Sequence, residues 1–194
     1  MKLYNELLEK HGKQNWWPVM TDNKFEICIG AILTQNTSWR NVEMALANMI
    51  KARTINPSKI ASMPTKRLEK MIRPSGFFRQ KAKRLKEFSK FVLSYGSFNK
   101  FLKNTTREDL LSVKGIGKET ADSILLYACG KPFFVVDSYT RRLLSRNNML
   151  DGKKEYDEIR EIFESNIPRN IKLYKEFHAL IVVNGKNKNR TLTD

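Results

Sequence analysis

Apolar residues recur along the chain at intervals of three and four positions, the spacing at which side chains share one face of an α-helix. The longest such stripe comprises Phe78, Ala82, Leu85, Phe88, Val92 and Tyr95. Comparable stripes, bounded by glycines, prolines and capping residues, predict helices over residues 3–11, 24–33, 39–51, 57–61, 65–72 and 98–102, others starting near 106, 118 and 138, and two more towards the C-terminus. One apolar run, Pro132–Val136, could be a strand, and a single strand cannot build a sheet. The pattern predicts an all-α fold.

The most informative motif is Gly115-Ile116-Gly117, which lies between two apolar, helix-like segments. Two glycines let the backbone turn tightly and expose its N–H groups to a ligand. The helix predicted to start near Lys118 directs its positive dipole end at the same place, with Lys114 beside it. By itself this motif fits both a tight turn between helices and a cradle for a phosphate group.

Asp137 follows the apolar run and precedes the helix-like segment 138–144, so it stands where a helix N-cap belongs. The simplest interpretation is that it only caps this helix. A capping carboxylate is also held ionised and fixed in direction, which suits it to catalysis near a phosphate site.

The net charge of the chain indicates what kind of partner it binds. The chain has 36 lysines and arginines against 20 acidic residues, a net charge of +16 in 194 residues, which indicates a polyanionic partner. A surface that follows phosphates is expected along the run Arg79, Lys81, Lys83, Arg84, Lys86 and Lys90. No segment approaches the ~18 consecutive apolar residues typical of a membrane span.

The two cysteines, Cys28 and Cys129, lie among apolar residues and are expected to be buried in a reducing compartment. Two cysteines cannot supply the four ligands of a typical iron–sulfur cluster. We therefore expect no cluster and no protein-ligated metal.

The hairpin glycines with Val113, Thr120 and Ala121, followed about twenty residues later by Val135-Val136-Asp137, resemble the helix-hairpin-helix DNA glycosylases of the endonuclease III superfamily. Within that superfamily, residues 73–85 and 115–122 are most similar to 3-methyladenine DNA glycosylase III and the endonuclease III-related proteins near it. The resemblance extends over nearly the whole chain.

The resemblance implies a two-lobed fold with the active site in the cleft between the lobes. One lobe would be a helical bundle over residues 19–131, and the other would combine residues 1–18 and 132–194. DNA would bind at the hairpin through Lys114, Gly115, Ile116, Gly117, Lys118 and Thr120. The resemblance also leaves room for a monovalent cation at the hairpin, but for no other cofactor.

Two further positions match DNA-contacting residues of the family. Gln35 could simply bond to local backbone, but the resemblance implies that its amide enters the base stack and fills the gap left by a flipped base. Phe77 lies outside its apolar stripe, in a turn from which relatives insert an apolar wedge into DNA.

Excision of a base breaks the C1′–N bond, and a fixed carboxylate can stabilise the positive charge that develops on the sugar. Asp137 is our candidate for this role. Bifunctional relatives use a lysine where this chain has Glu119, and an acid cannot form an imine. The resemblance therefore implies a monofunctional enzyme without lyase activity, although Glu119 could equally be an ordinary acid in a first helical turn.

A base pocket formed by Trp16, Trp17, Pro18 and Trp39, with Glu119 beside it, would match the aromatic pocket of the methyladenine family. The two adjacent tryptophans could instead be a core residue and a lid. N-alkylated purines such as 3-methyladenine are cationic and leave easily, so they are the expected substrates.

The chain departs from the methyladenine enzyme at Leu180, where that enzyme carries a lysine. Deaminated or oxidised bases, such as uracil or hypoxanthine, therefore remain an alternative. His178, two residues earlier, could be a catalyst or a buried structural histidine.

A different class of protein, a non-catalytic helix-hairpin-helix protein that recognises bent or damaged duplex, would need the hairpin but not Asp137. In each case we expect a monomer bound to double-stranded DNA that contains a damaged base. The N-terminus has no signal-peptide pattern, so the expected location is the cytoplasm, in association with the nucleoid.

Overall fold

The computed structural model describes residues 1–14, 19–149 and 154–186. Within these ranges there are helices and loops but no strand, which confirms the all-α prediction. The α-helices are α1 Lys2–His11, α2 Lys24–Leu33, α3 Trp39–Lys51, α4 Pro57–Ser62, α5 Thr65–Ile72, α6 Phe78–Ser94, α7 Phe98–Asn104, α8 Arg107–Ser112, α9 Lys118–Ser123, α10 Ser138–Arg146, α11 Tyr156–Asn166 and α12 Ile171–Lys186. A 3₁₀ turn spans Arg73–Ser75 and a π-helix spans Ile124–Cys129.

Side-chain caps explain where several helices begin. The Thr106 side chain accepts a hydrogen bond from the Asp109 N–H, and the Asp109 carboxylate accepts one from the Thr106 N–H, so α8 starts with a complete capping box. Asn56 caps α4, and the next residue, Pro57, fixes the first helical φ angle. These starts agree with the boundaries that the sequence predicts.

The helix after the hairpin differs from the prediction. The apolar stripe predicts one continuous α-helix from about residue 118, whereas α9 ends at Ser123 and a π-helix continues to Cys129. Residues 124–128 are all buried, at 3% exposure or less. Because this segment has no polar face, its sequence shows no period from which an α-turn could be distinguished from the wider π-turn.

The chain divides into two compact units. The first consists of Met1–Pro18 with Leu125–Asp194, and the second of Val19–Ile124. In the second unit α6 packs on α4 and α5, and an aromatic cluster joins α2, α6 and α7. In that cluster the ring of Phe25 lies 5.3 Å from Phe98 and 6.2 Å from Phe88.

The first unit has a core of its own. Helices α1 and α10 each pack on α12, and the rings of Tyr4 and Phe177 meet edge to face at 5.4 Å. Phe134, from the predicted apolar run, stacks on Phe163 at 4.1 Å. That run is extended chain buried by helices, not part of a sheet.

Of the two cysteines, Cys28 is buried as expected, whereas Cys129 is partly exposed at the end of the π-helix. No helix in the described part of the chain combines the length and the apolar character that crossing a membrane requires.

Candidate nucleic-acid interface and active site

The hairpin between α8 and α9 is built from a glycine turn and a buried anchor. Gly115 has a φ of +90°, which a residue with a Cβ rarely adopts, and the Ile116 N–H donates to the Val113 carbonyl at 3.0 Å. Ile116 is 5% exposed, so it anchors the turn to the core. Lys114, Gly115, Gly117 and Lys118 are exposed at the tip.

A buried ion pair fixes the two hairpin helices to each other. The Arg107 guanidinium donates to both carboxylate oxygens of Asp122, at 2.7 and 3.2 Å. Arg107 lies at the start of α8 and Asp122 in α9, and the Asp122 side chain is fully buried. This two-point contact sets the angle between the helices that present the turn.

Gln35, in the loop after α2, is bonded to the hairpin. Its Nε2 donates to the Gly115 carbonyl at 3.2 Å and to Thr120 Oγ1 at 3.0 Å, while its Oε1 accepts from the Arg84 guanidinium. Both ends of the amide are therefore engaged inside this unit. Thr120 is 6% exposed and its hydroxyl faces Gln35.

Lys81 lies behind this loop and is 1% exposed. Its Nζ donates to the Leu33 carbonyl at 2.8 Å and to the Ser75 carbonyl at 2.6 Å. Leu33 ends α2, immediately before the Gln35 loop, and Ser75 lies in the turn that leads to Phe77. One buried amine thus joins the two loops that carry Gln35 and Phe77, and burial lowers its pKa to about 8, with a further contribution from Arg84.

The basic run on α6 is only partly a surface. Arg79 and Lys83 are exposed, as a phosphate-facing stripe requires. Lys86 instead donates to the Met63 carbonyl, and Lys90 pairs with Glu87 at 2.8 Å. Lys90 stays exposed despite this pair, but the inward contacts of Lys81, Arg84 and Lys86 show that the expectation of six phosphate-facing cations is wrong.

Phe77 is the most exposed aromatic side chain in the described ranges, at 63%. It is also held in the left-handed backbone region, with φ 44° and ψ 29°. That conformation is unfavourable for a residue with a large side chain. An exposed ring on a strained backbone is consistent with a contact made outside the protein, because nothing in the core requires it.

The proposed base pocket is only partly described. Trp16, Trp17 and Pro18 lie outside the described residues. The indole N–H of Trp39 donates to Glu43 at 3.0 Å, and its ring lies beside Gly30, so this side chain packs on α2. Glu119 is exposed in the first turn of α9.

Asp137 is the N-cap of α10, as the sequence predicts. Its Oδ1 accepts from the Thr140 N–H at 2.8 Å and from the Thr140 hydroxyl at 3.0 Å. Its Oδ2 lies 3.6 Å from Nε2 of His178, and its side chain is 13% exposed. Burial acts to raise the pKa of Asp137, but His178 and the two bonds from Thr140 outweigh it and hold the pKa below the usual value.

His178 is itself held by Tyr127. The phenol oxygen lies 2.6 Å from Nδ1 of His178, and both side chains are buried. Burial first, and then the negative charges of Asp137 and Glu176, raise the pKa of Tyr127 well above 10. The phenol therefore holds its proton more tightly than an exposed tyrosine does.

The sequence interpretation missed Tyr127, and it assigned Lys81 and Arg84 to a phosphate-facing surface although both bond to oxygens inside the protein. A signal for Lys81 existed, because positions 81, 85, 88 and 92 share the buried face of α6, so a lysine there points inward. For Arg84 and Tyr127 the partners are distant in sequence, and no local pattern identifies them. No group of three or more His, Cys, Asp or Glu side chains in the described part of the chain is placed to hold a metal ion.

Comparisons of this chain with known proteins agree on one family. Residues 29–169 match the family model described as HhH-GPD superfamily base excision DNA repair protein. A Methanocaldococcus jannaschii protein, MJ1434, whose name assigns it provisionally as a DNA repair glycosylase, is 49% identical over 187 residues, which cover 93% of this chain and 84% of the relative.

Two kinds of solved structure are similar to the chain. The H. pylori 3-methyladenine DNA glycosylase MagIII, bound to 1,N6-ethenoadenine, has 37% identity and a TM-score of 0.86, with 98% of this chain and 96% of the other covered. An endonuclease III–DNA covalent intermediate has a TM-score of 0.83 with 19% identity over 98% of this chain and 87% of the other, which is a likeness of fold.

Proposed function

Because the chain belongs to the HhH-GPD superfamily of base excision DNA repair proteins and is a DNA repair glycosylase, we propose that it excises N-alkylated purines such as 3-methyladenine from duplex DNA. We propose further that it does so without a lyase step. The observation that carries the proposal is the Asp137 carboxylate. It is fixed by Thr140, faces His178, and has a lowered pKa despite its burial.

An ionised carboxylate in that state suits base excision. As the C1′–N bond breaks, the sugar develops positive charge, and a fixed negative group stabilises it without having to reorganise. The same carboxylate can orient the attacking water. A cationic purine is already a good leaving group, so a single carboxylate is sufficient for the reaction.

The absence of a lyase step rests on Glu119. In the bifunctional relatives that the sequence resembles, a lysine at this position attacks C1′, and a carboxylate cannot form that imine. Lys118, the neighbouring amine, is about 100° further around the helix and is better placed for a phosphate.

The DNA interface that we propose is the exposed hairpin tip, Lys114 to Lys118, together with Gln35 and Phe77. A monovalent cation at the hairpin carbonyls and a base pocket of Trp16, Trp17, Pro18, Trp39 and Glu119 belong to the same proposal. The substrate is supported by the H. pylori 3-methyladenine glycosylase, at 37% identity.

A second substrate class has one observation in its favour. Leu180, which is fully buried in α12, stands where the methyladenine enzyme that the sequence resembles carries a lysine. Without that amine, recognition could differ, and deaminated or oxidised bases such as uracil or hypoxanthine are the second candidate.

The test is release of free base, identified by chromatography, from methylated duplex DNA and from matched duplexes with uracil, hypoxanthine or 1,N6-ethenoadenine. Strand cleavage is measured before and after alkali. We expect 3-methyladenine to be released and strands to break only after alkali. Cleavage without alkali would contradict the monofunctional mechanism, and binding without release of any base would favour the non-catalytic alternative.

A further inference from the structure

Asp137 alone does not explain why two buried polar side chains are arranged behind it. Tyr127 is 3% exposed and His178 is 5% exposed, in a region otherwise packed with apolar side chains. Burying a hydroxyl and an imidazole costs free energy unless each is hydrogen-bonded. The direct reaction at the sugar needs neither group.

We propose that Tyr127 and His178 are positioning residues that hold Asp137 ionised and fixed, with the phenol setting which imidazole nitrogen carries the proton. The proposal rests on the function proposed above for Asp137. It adds a role for two residues that do not touch the DNA base themselves.

The tautomer follows from the charges around the ring. In the neutral imidazole, two arrangements could satisfy the 2.6 Å contact between the phenol and Nδ1. If Nδ1 carried the proton, Nε2 would direct a lone pair at the Asp137 carboxylate 3.6 Å away, which is repulsive. If the phenol donates to Nδ1, Nε2 carries the proton and directs it at the carboxylate, so the second arrangement is favoured.

The other charged groups around these three side chains act on the Tyr127 phenol. Lys175, from α12, lies 5.6 Å over the Tyr127 ring, and Glu176 acts with Asp137 to keep the phenol protonated. From its own helix, Asp137 receives only the neutral donors of Thr140. The group facing its second oxygen is therefore His178, and His178 in turn depends on Tyr127 for its orientation.

Chain geometry supports this arrangement. Tyr127 lies in the π-helix, and π-turns are rare and frequently occur at functional sites. Asp137 and His178 start or lie within helices of the same compact unit, so the three side chains belong to one packed body. A tyrosine that fixes a histidine, which orients an aspartate, is the reverse order of the protease triad, where the aspartate fixes the histidine.

The test uses nuclear magnetic resonance of the full chain without DNA. Nitrogen-15 shifts of His178 report which nitrogen is protonated, and carbon-13 shifts of the Asp137 carboxyl group report its titration. We expect the proton on Nε2 in the wild type. Tyr127→Phe should raise the apparent pKa of Asp137 by about one unit, since it removes the hydrogen bond between the Tyr127 phenol and His178.

Excision gives the second readout. In Tyr127→Phe the acidic limb of the single-turnover rate should move to higher pH, with a rate lower by about fivefold at the old midpoint. His178→Gln, whose amide N–H can face the carboxylate, should recover part of the loss seen in His178→Ala. The control is Tyr174→Phe, a second fully buried tyrosine of the same unit, which should change neither titration nor rate.

A neutral wild-type imidazole with its proton on Nδ1 would overturn the proposal, as would an unchanged Asp137 titration in a folded Tyr127→Phe protein. If that variant does not fold, the wild-type tautomer still decides. The spectroscopic result does not depend on excision, so a wild type that releases no base would contradict the proposed function and leave the positioning proposal to be judged separately.

Discussion

Each compact unit contains a buried polar cluster, and the two clusters hold their charges in opposite ways. In the unit of residues 19–124, the cations Lys81 and Arg84 bond to neutral oxygens, the carbonyls of two loops and the amide of Gln35. In the other unit, the anion Asp137 is held by neutral donors of Thr140 and faces His178.

The two arrangements suit different roles. A buried ammonium that bonds only to carbonyls serves to fix backbone, because it joins loops that have no other reason to lie together. A buried carboxylate with a lowered pKa keeps its charge available for chemistry. Under the proposed function, the first cluster positions the DNA-binding surface and the second maintains the reactive carboxylate.

The largest effect should come from Asp137→Asn. Excision should fall by about a hundred- to a thousandfold, because the charge that stabilises the sugar is lost. Asparagine caps helices as well as aspartate does, so the cap of α10 should be retained. DNA affinity, measured by fluorescence anisotropy, should stay within about tenfold because the hairpin is untouched.

Asp137→Ala is the matched comparison, since it should lose both excision and about 1 kcal/mol of stability with the cap. An Asp137→Asn protein that excises bases at the wild-type rate would remove Asp137 from the mechanism.

Lys81→Met should have the next largest effect, and on a different property. It removes the donor that the Leu33 and Ser75 carbonyls share, so the free energy of unfolding should fall by about 2 kcal/mol. Amide hydrogen exchange should speed up at residues 34–37 and 75–77, and DNA affinity should fall. Lys83→Met, exposed on the same helix, is the control, and equal exchange in the two variants would contradict the role given to Lys81.

Phe77→Gly should separate stability from binding. Relief of the left-handed backbone, at φ 44°, should offset the lost side chain and raise the free energy of unfolding, by about 0.5 kcal/mol. DNA affinity should fall by about tenfold if the ring is a wedge. Phe77→Leu keeps an apolar side chain on the same backbone, so it should bind nearly as well without the gain in stability; equal binding by the glycine variant would argue against a wedge.

The smallest effect should be a dependence on pH. The folded-state pKa of Lys81, about 8, lies below its usual 10.5. Between those values the unfolded chain holds a proton at this residue that the folded protein has released, so this lysine makes stability rise with pH. In urea titrations at several pH values, the advantage of wild type over Lys81→Met should therefore widen above pH 8, whereas the difference from Lys83→Met should stay constant.

Much of the fold follows from local sequence. Thr106 with Asp109, and Asp137 before an amphipathic segment, mark helix starts because caps act within one turn of chain. Gly115 marks the hairpin turn for the same reason, since its φ is a local requirement. The π-helix was not predictable, because residues 124–128, which make up all of it except Cys129, are buried on every side.

In the candidate site, too, some features follow from local sequence and others do not. Asp137 could be found because it is both a cap and a motif residue. The contact between Tyr127 and His178, the histidine that faces Asp137, joins residues 51 positions apart in sequence, so no local pattern reveals it. Gln35 and Gly115 are 80 residues apart, so a sequence pattern places each of them but not the bond between them.

Gly115 carries a consequence for how such a chain can change over evolution. A Cβ at this position would lie 2.6 Å from both Cγ and Nε of Arg84, the side chain that bonds to Gln35. A substitution here would have to displace that arginine as well as adopt a φ of +90°. Replacement of the glycine is therefore tied to the arginine and, through it, to the glutamine. The three positions should vary together among descendants of this sequence or stay fixed together.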